Sequence, residues 1–326
     1  MKTRSLSWLV LPVLLLLGGC PEGGGGDGGF GNGGGISSRI AYVANSGSNN
    51  VSGYMITTNG ALTTISGSPF SGVTAPSAVT VSADGSFVYV TNQGGANSVS
   101  AFTVNSTTAE LTLVANSPFT AGTNPSAVTV SPNGNFLYVA NGGSNDVSAY
   151  TITTGSGVLA PVAGSPFPAG TTPSAVTVSP NGQFLYVANG GGNVSAYTIT
   201  AGSGVLVPVA GSPFPAGTTP SAVTVSPNGN FLYVVNSGSN NVSTFTIDGA
   251  TGALTSQATI AAGTSPRGVS IEPNGLLLYV ANGGSNNVSA YTITAGTGAL
   301  TPVSGALGNP FSAGTTPSGI ATPGRP

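Results

Sequence analysis

Apolar and polar positions along this chain fall into short blocks, not long stripes. From residue 40 onward, runs of five or six Val, Ala, Tyr, Phe, Leu and Thr alternate with clusters of Asn, Gly, Ser and Pro. Blocks this short, rich in β-branched and aromatic residues, read as strands, and the clusters between them as turns. The stretch 125–170 shows the unit. Residues 127–131 form a β-branched run. Asn133 and Gly134 follow, a pair that predicts a type I′ hairpin with positive φ at both positions. Residues 136–140 (FLYVA) make a second strand and 141–145 a polar loop. Residues 147–152 (VSAYTI) make a third strand, and Gly155, Ser156 and Gly157 turn the chain into a fourth at 158–162. A Pro- and Gly-rich connection, GSPFPAGTTP, then leads to the next unit.

The unit repeats. Tyr-Val-Ala-Asn or a near variant ends at Asn45, Asn92, Asn141, Asn189, Asn236 and Asn282, at intervals of 47, 49, 48, 47 and 46 residues. Pro-Ser-Ala-Val-Thr-Val-Ser or a variant begins at Pro76, Pro125, Pro173, Pro220, Pro266 and Pro317. Four antiparallel strands in about 45 residues are the arithmetic of a β-propeller blade. FLYVA and SAVTV have no polar face, so each blade must be covered on both sides, which radial stacking achieves. A lipid-facing barrel needs strands of about 9–11 residues with polar and apolar positions alternating, and a parallel β-helix needs shorter coils. The two strings are staggered. Residues 40–44 have no Pro-Ser strand before them, and 318–322 have no Tyr-Val strand after them. Joining the ends completes one blade. The expectation is therefore an all-β, six-bladed β-propeller over residues 36–326, its ring closed by the C-terminal strand, which hides two open edges.

The first 19 residues predict an export signal. Lys2 and Arg4 open it, and an apolar run from Trp8 to Leu17 follows, interrupted by Pro12. That run is too short to cross a bilayer of about 30 Å as a helix. Leu17, Gly18, Gly19 and Cys20 resemble the bacterial lipobox, and Cys20 is the only Cys of the chain. Cys20 is thus expected to carry a lipid. Pro21 is not the Asp found there in lipoproteins retained at the inner membrane, which favours an outer-membrane destination. Residues 21–35 (PEGGGGDGGFGNGGG) read as a flexible tether between that anchor and the folded part.

Composition narrows the chemistry. The chain has 326 residues but only 5 Lys+Arg and 7 Asp+Glu, and no His. Without a basic face, nucleic acid is excluded as a partner. Without His and with one Cys, no zinc site or His-dependent triad can form. From Cys20 on, Arg39, Arg267 and Arg325 face all seven acids, which offers nothing to anionic lipid. Any membrane contact is expected through the lipid alone.

The YVAN and YVTN strings, with PNG before them and NVSAYTI after, resemble the YVTN-repeat β-propellers. That group belongs to the lactonase-like propeller superfamily, which includes the propeller type of 6-phosphogluconolactonase. The likeness covers 40–326. It implies the fold and, as one functional option, lactone hydrolysis. The lactonase relatives usually have seven blades and use a cleft with His, Arg and acidic residues. Here six blades are counted and His is missing. Because successive blades are nearly interchangeable, the sequence favours a non-catalytic, envelope-anchored binding or scaffold module, with a protein or glycan partner and no cofactor. The alternative is a lactonase-like hydrolase.

Individual residues carry further expectations. Arg267 replaces the Ser that follows Pro in other repeats, at the start of an inner strand, so it stands as a candidate anion-binding residue at the channel mouth. Glu272, five residues on, should lie at the far end of that strand and not pair with it. Asp146 sits in GGSNDV, where one carboxylate is too few for Ca²⁺. Phe70, Phe119, Phe167, Phe214 and Phe311 of the SPF-type connections are expected to pack between blades. The anchor expectation has a direct test. A palmitate analogue fed to the producing bacterium should label the wild-type chain and leave Cys20→Ser unlabelled and released from the membrane. Persistent label on Cys20→Ser would contradict it.

Overall fold

The computed structural model describes residues 14–16, 39–57, 59–95, 97–304 and 309–322. Cys20, the glycine-rich segment 21–35 and Arg325 lie outside the described residues. Six antiparallel sheets follow one another along the chain as the blades of a propeller. Blade three is representative. Its strands are Pro125–Val130, Phe136–Asn141, Asp146–Ile152 and Leu159–Pro161. A two-residue segment, Phe167–Pro168, adds a fifth piece by pairing with Asp146 and Val147. Blades two, four, five and six repeat this order, with inner strands Pro76–Val81, Pro173–Val178, Pro220–Val225 and Pro266–Ile271.

The hairpin between the first two strands is not the expected one. Only Gly134 has positive φ, and its N–H donates to the Ser131 carbonyl at 2.8 Å. Pro132 explains this, because its ring fixes φ near −65° and suits a type I turn followed by a left-handed glycine. The Asn133 carboxamide oxygen then caps the loop by accepting from the Asn135 N–H at 3.1 Å.

The apolar core is divided among the gaps between blades. Five clusters of buried side chains are found among the described residues, each joining one blade to the next. Between blades three and four, Phe136, Tyr138, Ala149 and Val162 meet Leu185, Val187, Tyr197 and Leu206. Phe167 packs against the same cluster, and Phe119 and Phe214 do so in theirs. The connection aromatics thus serve the seams.

A buried tyrosine hydroxyl crosses each of these five seams at the same register position. Tyr138 donates to the Gly204 carbonyl of the next blade at 3.1 Å. Tyr42 donates to Ala109, Tyr89 to Gly157, Tyr186 to Gly252 and Tyr233 to Gly298. Burial pushes all five hydroxyls well above the usual tyrosine range, so they stay protonated and able to donate. The Phe136 ring lies against Gly204, where a Cβ would sit 2.4 Å from Phe136 Cδ1. Gly204 has φ +72°, so it must be glycine for both conformation and space. The first seam trades both partners. Ile40 takes the place of Phe and Ala109, at φ 62°, the place of Gly.

Ring closure departs from expectation. The inner neighbour of Arg39–Asn45, here called β2, is Leu14–Leu16, called β1, in the register Leu14↔Val43, Leu15↔Tyr42 and Leu16↔Ala41. Residues 313–322 form no strand. They lie instead along Pro266–Ile271, where the Thr322 N–H donates to Ser270 Oγ at 3.0 Å and the Thr322 hydroxyl to the Ile271 carbonyl at 2.8 Å. The inner edge of β2 holds one strand, and β1 fills it.

Two alanine substitutions test the seam account. Gly204→Ala should cost about 2 kcal/mol or more, from clash with Phe136 together with strain. Gly202→Ala has similar φ, +77°, but nothing within 4 Å of the new Cβ, and should cost about 1 kcal/mol. Equal losses in denaturant melts would show that the ring-on-glycine contact contributes nothing.

Candidate functional site

One face of the ring gathers the starts of the inner strands, the loops between second and third strands, and the connections between blades. On it, two sets of repeated bonds link neighbours. In every loop but that of blade four, a left-handed Asn accepts from a backbone N–H at the end of the connection that follows. Asn145 takes Thr172 at 2.7 Å, Asn240 takes Ser265 at 2.7 Å and Asn286 takes Thr316 at 2.6 Å. Asn49 and Asn97 do the same for Ala75 and Asn124. Nearer the channel, Ser77 donates to the Pro125 carbonyl, Ser126 to Pro173, Ser174 to Pro220 and Ser221 to Pro266.

Arg267 interrupts the serine series. It begins the inner strand of blade six, and its side chain is exposed. Its Nε and Cδ pass over Gly283, where a Cβ would sit 2.8 and 3.0 Å away. The same virtual Cβ lies 3.3 Å from the Pro317 carbonyl. The bare glycine thus provides the room that the Arg267 stem occupies. No other cationic side chain is described.

A second irregularity went unread in the sequence. The blade-four loop runs Asn189, Gly190, Gly191, Gly192, Asn193, one residue shorter than Asn141 to Asp146 in blade three. The loop has no left-handed Asn, so Thr219, the counterpart of Thr172, gains no carboxamide acceptor among the described residues. A shallow depression of about 350 Å³ opens there, lined by the three glycines together with Gly217, Thr218, Thr219 and Ser239. Its signal in the sequence is a loop deletion within an otherwise regular repeat.

The acids do not join Arg267. Asp146 stands on the same face but three blades away, where it accepts from Asn141 Nδ2 at 2.6 Å. Asp84, Asp248 and Glu272 hold turns on the opposite face. Burial works to raise the Asp84 carboxyl, but hydrogen bonds from Ser82 and Ser86 together leave it below the usual range. Asp248 is held low by hydrogen bonds from Thr251 and Ala250. Glu272 accepts from the Tyr279 hydroxyl at 3.1 Å. Arg267 and Glu272 therefore sit at opposite ends of one strand and form no pair. Among the described residues no three His, Cys, Asp or Glu side chains cluster as metal ligands would.

Comparison with known proteins gives consistent results. A family model described as "Lactonase, 7-bladed beta-propeller" matches residues 35–171 and 205–312, most of the chain. The periplasmic gluconolactonase of Pseudomonas aeruginosa superposes with a TM-score of 0.69 at 20% identity, covering 86% of this chain and 84% of that one. A protein of unknown function from Desulfotomaculum acetoxidans gives 0.69 at 17% identity, over 85% and 84%. A 6-phosphogluconolactonase candidate from Bacteroides uniformis gives 0.55 at 19% identity, over 78% and 91%. A search of curated protein sequences finds no match.

Proposed function

This chain belongs to the lactonase family of β-propellers, and on that premise we propose that it is a lactonase-like hydrolase that opens a small sugar lactone. The observation that carries this reading is the family match across most of the chain. It favours the hydrolase over the non-catalytic scaffold that the interchangeable blades suggested. Family membership supplies the reaction class, and the irregular positions supply the candidates for the site.

In the reaction, a water oxygen bonds to the lactone carbonyl carbon. The bond from that carbon to the ring oxygen breaks, and the ring oxygen leaves as a hydroxyl after taking a proton. Negative charge builds on the carbonyl oxygen, and the second water proton is lost to solvent, which leaves a carboxylate. On this reading the exposed Arg267 side chain stabilises that charge. No described carboxylate or imidazole stands beside it as a base. Sugar lactones are reactive esters that water opens unaided, so fixed donors alone can accelerate the step. A single guanidinium suits an uncharged lactone better than a phosphorylated one, which would call for a cationic clamp. The periplasmic relative accords with an export signal ahead of the propeller and with a lipid on Cys20 that tethers the enzyme to the bacterial envelope.

The test is ring opening of gluconolactone and 6-phosphogluconolactone by the purified protein. Turnover above spontaneous hydrolysis is expected, faster for the uncharged substrate. Arg267→Ala should lower kcat/KM by about 100-fold, while Glu272→Gln, on the opposite face, should leave it unchanged. Background rates, or turnover indifferent to Arg267, would return the protein to the scaffold reading.

A further inference from the structure

Six blades in a closed ring make six seams, yet five apolar clusters join the described residues. None joins blade six to blade one. The two faces that would meet there carry the same residue types as the other seams, at the same register positions. On blade six, Leu277 and Tyr279 stand where Phe136 and Tyr138 stand in blade three, and both are only partly buried. With no following turn in reach, the Tyr279 hydroxyl donates to Glu272 instead. On blade one, Leu62 is 53% exposed, whereas its counterparts Leu111, Leu159, Leu206 and Leu254 are 3–8% exposed. Gly60, the counterpart of Gly204, has nothing within 4 Å of a virtual Cβ. The hydroxyls of Tyr150, Tyr197 and Tyr291 each donate to a carbonyl of the preceding connection. For Tyr54, their counterpart in blade one, no such bond is found among the described residues.

The C-terminal segment already stands where a next blade would begin. Asn286 accepts from Thr316 as the other loop asparagines do. A Cβ added at Gly283 would sit 3.3 Å from the Pro317 carbonyl oxygen, as one added at Gly142 would sit 3.2 Å from that of Pro173. In blade three, Pro125 faces Asn141, and Val128, Thr129 and Val130 face Val139, Tyr138 and Leu137. The same register would set Ile320, Ala321 and Thr322 against Val43, Tyr42 and Ala41. Those three positions are the ones that Leu14, Leu15 and Leu16 now face.

We infer that Leu14–Leu16 and residues 320–322 are alternative occupants of one seat, the inner edge of β2, and that the leader strand holds the ring open between blades six and one. While β1 is seated, the C-terminal segment has its blade-six contacts but no ladder. Loss of β1 from that edge lets 318–322 pair with β2. Closure then brings Leu62 under blade six, Tyr279 onto the Gly60 carbonyl and Tyr54 onto the Ser312 carbonyl, the partners that the repeat assigns. The chain thereby carries a built-in delay: the propeller completes itself only when its N-terminal segment is withdrawn. The inference stands independently of the lactonase reading.

The test uses the full-length chain with Cys20→Ser, so that introduced thiols are the only ones. Leu62→Cys reports seam burial through its rate of maleimide labelling. Val43→Cys with Ile320→Cys reports strand pairing through an intramolecular disulfide. Leu14→Pro with Leu15→Pro removes the backbone donor of β1 at whichever position faces the ladder. With the leader unchanged, rapid labelling and little 43–320 cross-link are expected. With the two prolines, labelling should slow by about tenfold or more, and the cross-link should form within the monomer. A chain that starts at residue 20 and keeps the Cys20→Ser change should behave like the proline variant, which separates strand withdrawal from any local effect of proline. Three results would overturn the inference. They are labelling unchanged by leader loss, a 43–320 cross-link equally abundant with the leader intact, and a cross-link formed between two chains, which would make a second copy the occupant.

Discussion

The structure depends on the seam between neighbouring blades. A single blade is a small twisted sheet, apolar on both faces, and cannot bury either one by itself. Stacking solves this once per interface. An aromatic ring lies on a bare left-handed glycine, and a buried tyrosine hydroxyl meets the carbonyl beside it. The hydroxyl gives direction to contacts that would otherwise be only greasy. A Tyr that missed its carbonyl would leave two buried polar groups unpaired, at about 1–3 kcal/mol each. Slippage between blades is thereby penalised, and one geometry repeats around the ring. The first seam shows the constraint at work: where Ile40 replaces the Phe, the opposing turn carries Ala109 instead of Gly.

Much of this was legible in the chain, because repetition announces itself. The spacing of the Tyr-Val strings marked the blades, and the two-sided apolar strands required cover on both faces. The Phe of each SPF connection had an obvious place between blades. Other features were hidden for physical reasons. The type I turn at Pro132 follows from the φ that proline imposes, which outweighed the familiar Asn-Gly preference. The hydroxyl partner of Tyr138 lies 66 residues away, and no local pattern reveals a bond across that distance. The staggered ends implied closure by the C-terminus, but sequence logic did not weigh a competing strand from before the repeats. The blade-four depression was visible only as a missing residue.

Function lives where the repetition fails. The serine-to-proline bonds and the asparagine staples are architecture, since every regular blade has them. Arg267 breaks the first series, and the 190–192 loop breaks the second. Both breaks fall on one face of the ring. Asp84 and Glu272 on the far face are bound up in turns, which leaves the Arg267 guanidinium among the serine, asparagine and backbone groups of the near face. On the proposed reading, a site of that kind would stabilise an oxyanion instead of moving protons, which would suit an ester already prone to open. The family match supports the proposed reaction class, and the Arg267 site is the part of that proposal still to be tested.

The central claim is that seams, not blades, hold the protein together, and that one seam is unfilled while the leader strand is in place. Native-state amide hydrogen exchange of the full-length chain tests it most directly, because it reads stability blade by blade. The second strands Phe87–Asn92, Phe136–Asn141, Phe184–Asn189 and Phe231–Asn236 lie between two seams, and should share the strongest protection. Arg39–Asn45 and Leu277–Asn282 each border the open side and should exchange measurably faster. Equal protection across all six second strands would contradict the account.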